Sequence, residues 1–163
     1  MVKLIRACVN ILPKPLRELY YKYEEKWLYL FFGLLTTAVS FVSAGIAKVF
    51  LENADMGNFI VSTVSTVFSW ICAVTFAYVT NRLWVFESHA SGASEIAKEA
   101  ASFYGGRVFT LIVAAVVMGI GNGLCKFNYW IMKITASAVE LILNYIISKL
   151  LVFRNGREAE TDK

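Results

Sequence analysis

Five polar side chains fall in register along the last apolar stretch of this 163-residue chain: Lys133, Ser137, Glu140, Asn144 and Ser148, at i, i+4, i+7, i+11 and i+15. At 100° per residue they draw one polar stripe down a single helix. A charged group at the centre of a membrane span costs roughly 2.5 to 3.5 kcal/mol on insertion scales, so Glu140 needs a reason to be there. One reading is a hydrophilic path for a polar headgroup. The other is interhelical hydrogen bonding, in which Glu140 meets a donor and carries nothing. Arg107 is the second chemical signal: it opens an apolar run, Val108 to Cys125, at the level of lipid headgroups. There a guanidinium can grip a phosphate through two parallel N–H bonds. Asn81 and Arg82 close another apolar run on the same side, and Arg82 reads as a snorkelling anchor.

The elements that must hold these groups are membrane-spanning helices. Hydrophobic residues make up 58% of the chain and charged residues 17%, with a mean hydropathy of +0.58, whereas a soluble domain carries about 25% charged residues. Intervals free of charge run from Trp27 to Ala47, from Met56 to Asn81 and from Val108 to Cys125; a fourth, from Ile134 to Phe153, is broken only by Glu140 and Lys149. About 20 helical residues cross the roughly 30 Å hydrocarbon core. The expectation is an all-α membrane protein with four transmembrane helices near 27–50, 57–81, 104–125 and 130–153, between a tail of residues 1–26 and a tail of residues 154–163.

Basic residues sort by side. The first tail holds Lys3, Arg6, Lys14, Arg17, Lys22 and Lys26, the middle connection with its borders Arg82, Lys98 and Arg107, and the C-terminal end Lys149, Arg154, Arg157 and Lys163; only Lys48, Lys126 and Lys133 fall on the other side. Cytoplasmic segments are enriched in Lys and Arg, so both termini are expected inside. The chain also reads as two parallel two-helix repeats, because Tyr78-Val-Thr-Asn-Arg-Leu-Trp-Val-Phe86 aligns with Tyr145-Ile-Ile-Ser-Lys-Leu-Leu-Val-Phe153. Two spans per half give both halves the same orientation. In the first tail Leu16, Leu19, Tyr20, Tyr23 and Trp27 follow helical spacing, as in an amphipathic helix lying in the membrane interface. The polar stretch Glu87 to Ala101, with the single histidine His89, is expected as an exposed connection.

Several classes are excluded on the residues. The first 26 lack the apolar core and small-residue cleavage site of a signal peptide. Cys8, Cys72 and Cys125 have no metal-site or disulfide spacing, and they read as structural thiols. No phosphate-binding G-x-x-x-x-G-K-[ST] loop is present, and Gly119-Ile-Gly121-Asn-Gly123 lacks the lysine. The net charge of +4 sits beside spans rather than along one helix face, which fits membrane lipids as partners and not nucleic acid. The small residues Ser65, Ser69, Ala73, Ala77 and Asn81 recur every fourth position, a surface on which another helix can pack closely. No metal, cofactor or enzymatic centre is expected.

Phe103-x-x-x-Arg107, the Asn81-Arg-x-x-Val-Phe86 ending, the four spans and the inside termini together resemble the GtrA-like family of small membrane proteins, over Trp27 to Phe153. That resemblance implies translocation of a polyprenyl-phosphate-linked sugar across the bacterial cytoplasmic (inner) membrane, for glycosylation of teichoic acid or another cell-surface polysaccharide. It implies site residues at Ala77, Asn81, Val85, Phe86, Phe103, Arg107, Lys133 and Asn144; the second repeat departs from it, with Ser148-Lys149 where Asn-Arg is common. Glu140 rests on the membrane argument alone. In this reading Arg107 captures phosphate at the inner face. Asn81 and Asn144 hydrogen-bond phosphate or sugar, Lys133 receives the anion near the outer face, and Phe86 and Phe103 pack against prenyl or sugar. Membrane glycosyltransferases would be functional partners, and a homo-oligomer is compatible with so small a bundle. Two alternatives compete: a proton-coupled exporter using Glu140, and a non-transporting subunit of a glycosyltransferase complex.

Overall fold

The computed structural model describes residues 6, 9, 10, 13–53, 57–90 and 92–153, and every regular element among them is helical. Cys8 and the tail of residues 154–163 lie outside the described residues. Four helices are long and apolar enough to cross a membrane: Glu24–Asn53, Asn58–Val85, Ala93–Leu124 and Tyr129–Val152. The chain divides into two compact units, Met1–Glu87 and Ser88–Lys163, each built on one helical hairpin.

The first unit contains α1 (Lys14–Lys22), α2 (Glu24–Asn53) and α3 (Asn58–Thr80). Pro13 precedes α1 and Pro15 sits in its first turn, where the missing N–H has no helical partner to lose. Leu16, Leu19, Tyr23 and Trp27 are exposed and Tyr20 is half-buried, so most of the apolar row of the tail is left uncovered by the unit's own packing. On α3 the row Ser65, Ser69, Ala73, Ala77 and Asn81 is buried as the spacing predicts, and α2 is the helix that packs against α3. Lipid tails are as apolar as leucine, so such a pair is held by close backbone approach rather than by exclusion of water. Several other hydroxyls are satisfied within their own helices. Thr36, Thr37, Thr66 and Thr75 each donate to the carbonyl four residues back, at 2.7 to 3.2 Å, which lets them sit in an apolar medium.

The second unit pairs α4 (Ala93–Met118) with α5 (Tyr129–Ile147). The Asn128 side chain caps α5, accepting from the backbone N–H of Trp130 at 2.9 Å and of Ile131 at 3.4 Å. Helix α4 begins well before the apolar run, inside the stretch expected as an exposed connection. Its first turns are amphipathic: Ser94, Glu95 and Lys98 are exposed, while Ile96, Glu99 and Phe103, at i, i+3 and i+7, turn inward.

Helices α3, α4 and α5 each end in a widened π-helical turn, at Asn81–Val85, Gly119–Leu124 and Ser148–Val152. The closing bonds run over five residues: Phe86 N–H to Asn81 O at 2.8 Å, Cys125 N–H to Ile120 O at 2.9 Å, and Phe153 N–H to Ser148 O at 3.0 Å. Directly after the first two, Glu87 (φ 46°) and Lys126 (φ 59°) take up the left-handed conformation that stops a helix.

Candidate functional site in the two hairpins

In the first hairpin the π turn carries the polar residue. Asn81 opens the turn and is 3% exposed; Ala77 lies one turn before it, and Val85 and Phe86 close it, all buried. Aromatic rings of α2 brace this end: Phe32 stacks on Trp84 with centroids 5.3 Å apart and planes 17° from parallel, and Tyr29 faces Phe86 at 6.4 Å. Among the described residues the Asn81 Oδ1 atom has no hydrogen-bond donor. A buried acceptor in that state costs about 1 to 3 kcal/mol, and a hydroxyl or ammonium group brought to it recovers that energy.

In the second hairpin Arg107 and Phe103 are one turn apart on α4. Helix side chains lean toward the N-terminus, so the Arg107 guanidinium lies back over the Phe103 ring, 4.9 Å from its centroid. Phe103, 2% exposed, is held from the other helix by Phe153 at 6.0 Å. One turn deeper, Thr110 is fully buried and donates its hydroxyl to Asn144 Oδ1 at 2.8 Å. That bond orients the Asn144 amide and leaves its NH2 group as the donor side. Between the two levels the helices nearly touch: a Cβ on Gly106 would stand 2.7 Å from Ile147 Cγ2. Ser148 opens the π turn of this hairpin and is buried, and Lys149 donates to the Tyr145 hydroxyl at 3.1 Å.

The polar stripe of α5 is thus divided. Asn144 and Ser148 are buried against α4, Glu140 is half-buried, and Lys133 and Ser137 are exposed. Lys133 precedes Asn144 by eleven residues, about 16 Å along the axis, so this hairpin does not bring it to Arg107. Among the described residues Arg107, Lys133 and Glu140 have no oppositely charged partner. Two residues of this hairpin escaped the sequence reading. Thr110, three residues past Arg107, was readable from helical spacing; the burial of Glu99 was not, because it depends on the chain folding back from Ser88, whose hydroxyl donates to the Glu99 carboxylate.

Residues 28–153 match the family model described as GtrA/DPMS, transmembrane domain. The chain belongs to this family. The GtrA/DPMS domain begins within the first turns of α2 and ends at Phe153, so it contains nearly all of both hairpins and their π turns, while α1 lies outside it. The chain is 34% identical over 131 residues to an uncharacterised membrane protein, YwcD, of Bacillus subtilis (strain 168), a match covering 80% of this chain and 98% of that protein. It is 35% identical over 128 residues to the cell wall teichoic acid glycosylation protein GtcA of Listeria innocua serovar 6a, and 32% identical over 127 residues to the protein of that name from Listeria monocytogenes serovar 1/2a. Each of these covers 78% of this chain and 83% of the relative. No solved structure matches. This GtrA/DPMS member is a multi-pass membrane protein.

Proposed function

We propose that this protein flips a polyprenyl-phosphate-linked sugar across the bacterial cytoplasmic membrane, feeding a membrane glycosyltransferase that glycosylates teichoic acid or a related surface polymer. The observation that carries the reading is Arg107. It is a guanidinium supported on an aromatic ring, without a carboxylate partner among the described residues, on the hairpin that also buries Thr110 and Asn144. Such a group is prepared for an anion. The names borne by the Listeria relatives support the cellular process, and the family supports the type of protein.

Each hairpin, taken by itself, carries one buried amide with its own hydrogen-bonding capacity. The Asn144 NH2 group is a donor for phosphate oxygen, and Asn81 Oδ1 is an acceptor for a sugar hydroxyl. Phe103 and Phe86 act as supports, since their rings are engaged within the hairpins. The π turns at Asn81 and Ser148 each begin on a buried polar residue and end on a buried phenylalanine, Phe86 or Phe153, which supports descent of the hairpins from one repeated unit. The isoprenoid tail stays in lipid while the head crosses. With the interior negative, outward movement of a monoanion is favoured by about 2.3 kcal/mol per 100 mV, so no nucleotide hydrolysis is required.

The test is purified protein in liposomes with labelled polyprenyl-phosphate sugar: protein-dependent appearance of label on the opposite leaflet supports flipping, and its absence with correctly folded protein refutes it. The half-buried Glu140 favours one competing reading, a proton-coupled exporter. Transport driven by a pH gradient in the absence of a membrane potential would replace the proposal with that one.

A further inference from the structure

Glu99 is a carboxylate in an unusual place. It sits in the second turn of α4, before the apolar run begins, and yet it is only 8% exposed. Burying a carboxylate is costly unless hydrogen-bond donors reach it. Glu99 stands four residues before Phe103 and eight before Arg107. At 100° per residue, Glu99, Phe103, Arg107 and Thr110 fall within an arc of about 80° on one face of α4. The Arg107 guanidinium already reaches back to the level of Phe103, so the Glu99 carboxylate follows it by one further turn, about 6 Å toward the polar end of the helix.

That order matches the order of groups in the ligand. Beyond Thr110 the helix is apolar, where an isoprenoid tail belongs; Arg107 stands at the phosphate; the next position outward is that of the first sugar. A carboxylate there is a hydroxyl acceptor, and it already holds one, because the Ser88 hydroxyl donates to Glu99 Oε2 and Ser88 also accepts from the Ala90 N–H at 3.4 Å. We infer that Glu99 binds hydroxyl groups of the phosphate-linked sugar, and that Ser88 occupies this acceptor until the sugar displaces it. The inference rests on the flipping reading above and adds the residue that distinguishes a sugar-bearing lipid from the bare polyprenyl phosphate.

The experiment measures binding of two probes, polyprenyl phosphate and polyprenyl-phosphate hexose, to the full-length protein in detergent micelles. A hydrogen bond to a charged acceptor is about twice as strong as one between neutral groups. Glu99→Gln should therefore weaken the hexose lipid by about tenfold or more and leave the bare phosphate lipid unchanged. Ser88→Ala removes the hydroxyl that competes for Glu99 Oε2 and should tighten the hexose lipid alone, by roughly threefold or more. Opposite effects of the two substitutions on the hexose lipid separate sugar recognition from a purely structural Ser88–Glu99 bond, whose loss would move both variants and both probes the same way. That parallel behaviour, or an unchanged preference in Glu99→Gln, overturns the inference while leaving the flipping reading intact. Wild-type protein that binds neither lipid overturns both. If Glu99→Gln does not fold, Ser88→Ala decides alone, and no selective gain for the hexose lipid overturns the inference.

Discussion

Gly106 sets how closely the second hairpin closes, and replacing it with alanine is the sharpest test of that packing. The added Cβ would stand 2.7 Å from Ile147 Cγ2, against an ordinary carbon contact of about 3.5 to 4.0 Å, so the helices must separate locally by roughly 1 Å. Ile147 cannot easily turn away, because a β-branched side chain in a helix has one strongly preferred rotamer. Overpacking of this kind costs about 1 to 3 kcal/mol. The same separation would stretch the 2.8 Å bond between Thr110 and Asn144, one turn away, beyond hydrogen-bonding range, adding about 0.6 to 1.7 kcal/mol in a membrane. Less the roughly 1 kcal/mol by which alanine favours a helix over glycine, the expected loss is about 1 to 4 kcal/mol, read as a lowered unfolding midpoint in micelles followed by circular dichroism, with reduced flipping in liposomes. Ile147→Leu moves the branch from Cβ to Cγ and removes the clashing methyl, so the double variant should regain most of the loss. Gly105→Ala is the control: open space surrounds that position, and alanine favours a helix over glycine by about 1 kcal/mol. A Gly106→Ala protein as stable as wild type, or one that Ile147→Leu does not rescue, would refute the close-approach argument.

Arg107→Ala should abolish flipping and Arg107→Lys should retain at most part of it, at unchanged membrane abundance, because lysine keeps the charge but not the two-pronged geometry; near-normal flipping by the alanine variant would return Arg107 to the role of an anchor. Thr110→Val leaves Asn144 Oδ1 without its donor, and a stability loss of about 1 to 2 kcal/mol is expected by the same micelle assay. Single cysteines in a background lacking Cys8, Cys72 and Cys125 should label from outside at Asn128 and only after permeabilisation at His89, and external labelling at His89 would refute the orientation expected from the charge count. Glu140→Gln should keep measurable flipping; a folded but inactive variant would favour the exporter.

The number of spans was legible from the sequence, because a bilayer admits only long runs without charge and a helix consumes them at a fixed rise. So was the buried face of α3, since Ser65, Ser69, Ala73, Ala77 and Asn81 announce it by spacing alone. The start of α4 was not. Glu95, Lys98 and Glu99 make the segment read as a polar loop, and its helicity follows from turning Ile96, Glu99 and Phe103 inward together. The π turns have no compositional signature, being a choice among backbone bonds that the packing of Phe86 and Phe153 accompanies. Nor could spacing divide the stripe of α5, for a period places residues on one face without saying which part of that face another helix covers. Residue types and intervals thus determined which groups could act; which of them are buried, opposed and hydrogen-bonded was decided only where α4 and α5 meet, because register between two helices depends on contacts such as Gly106 with Ile147 that lie far apart in the chain.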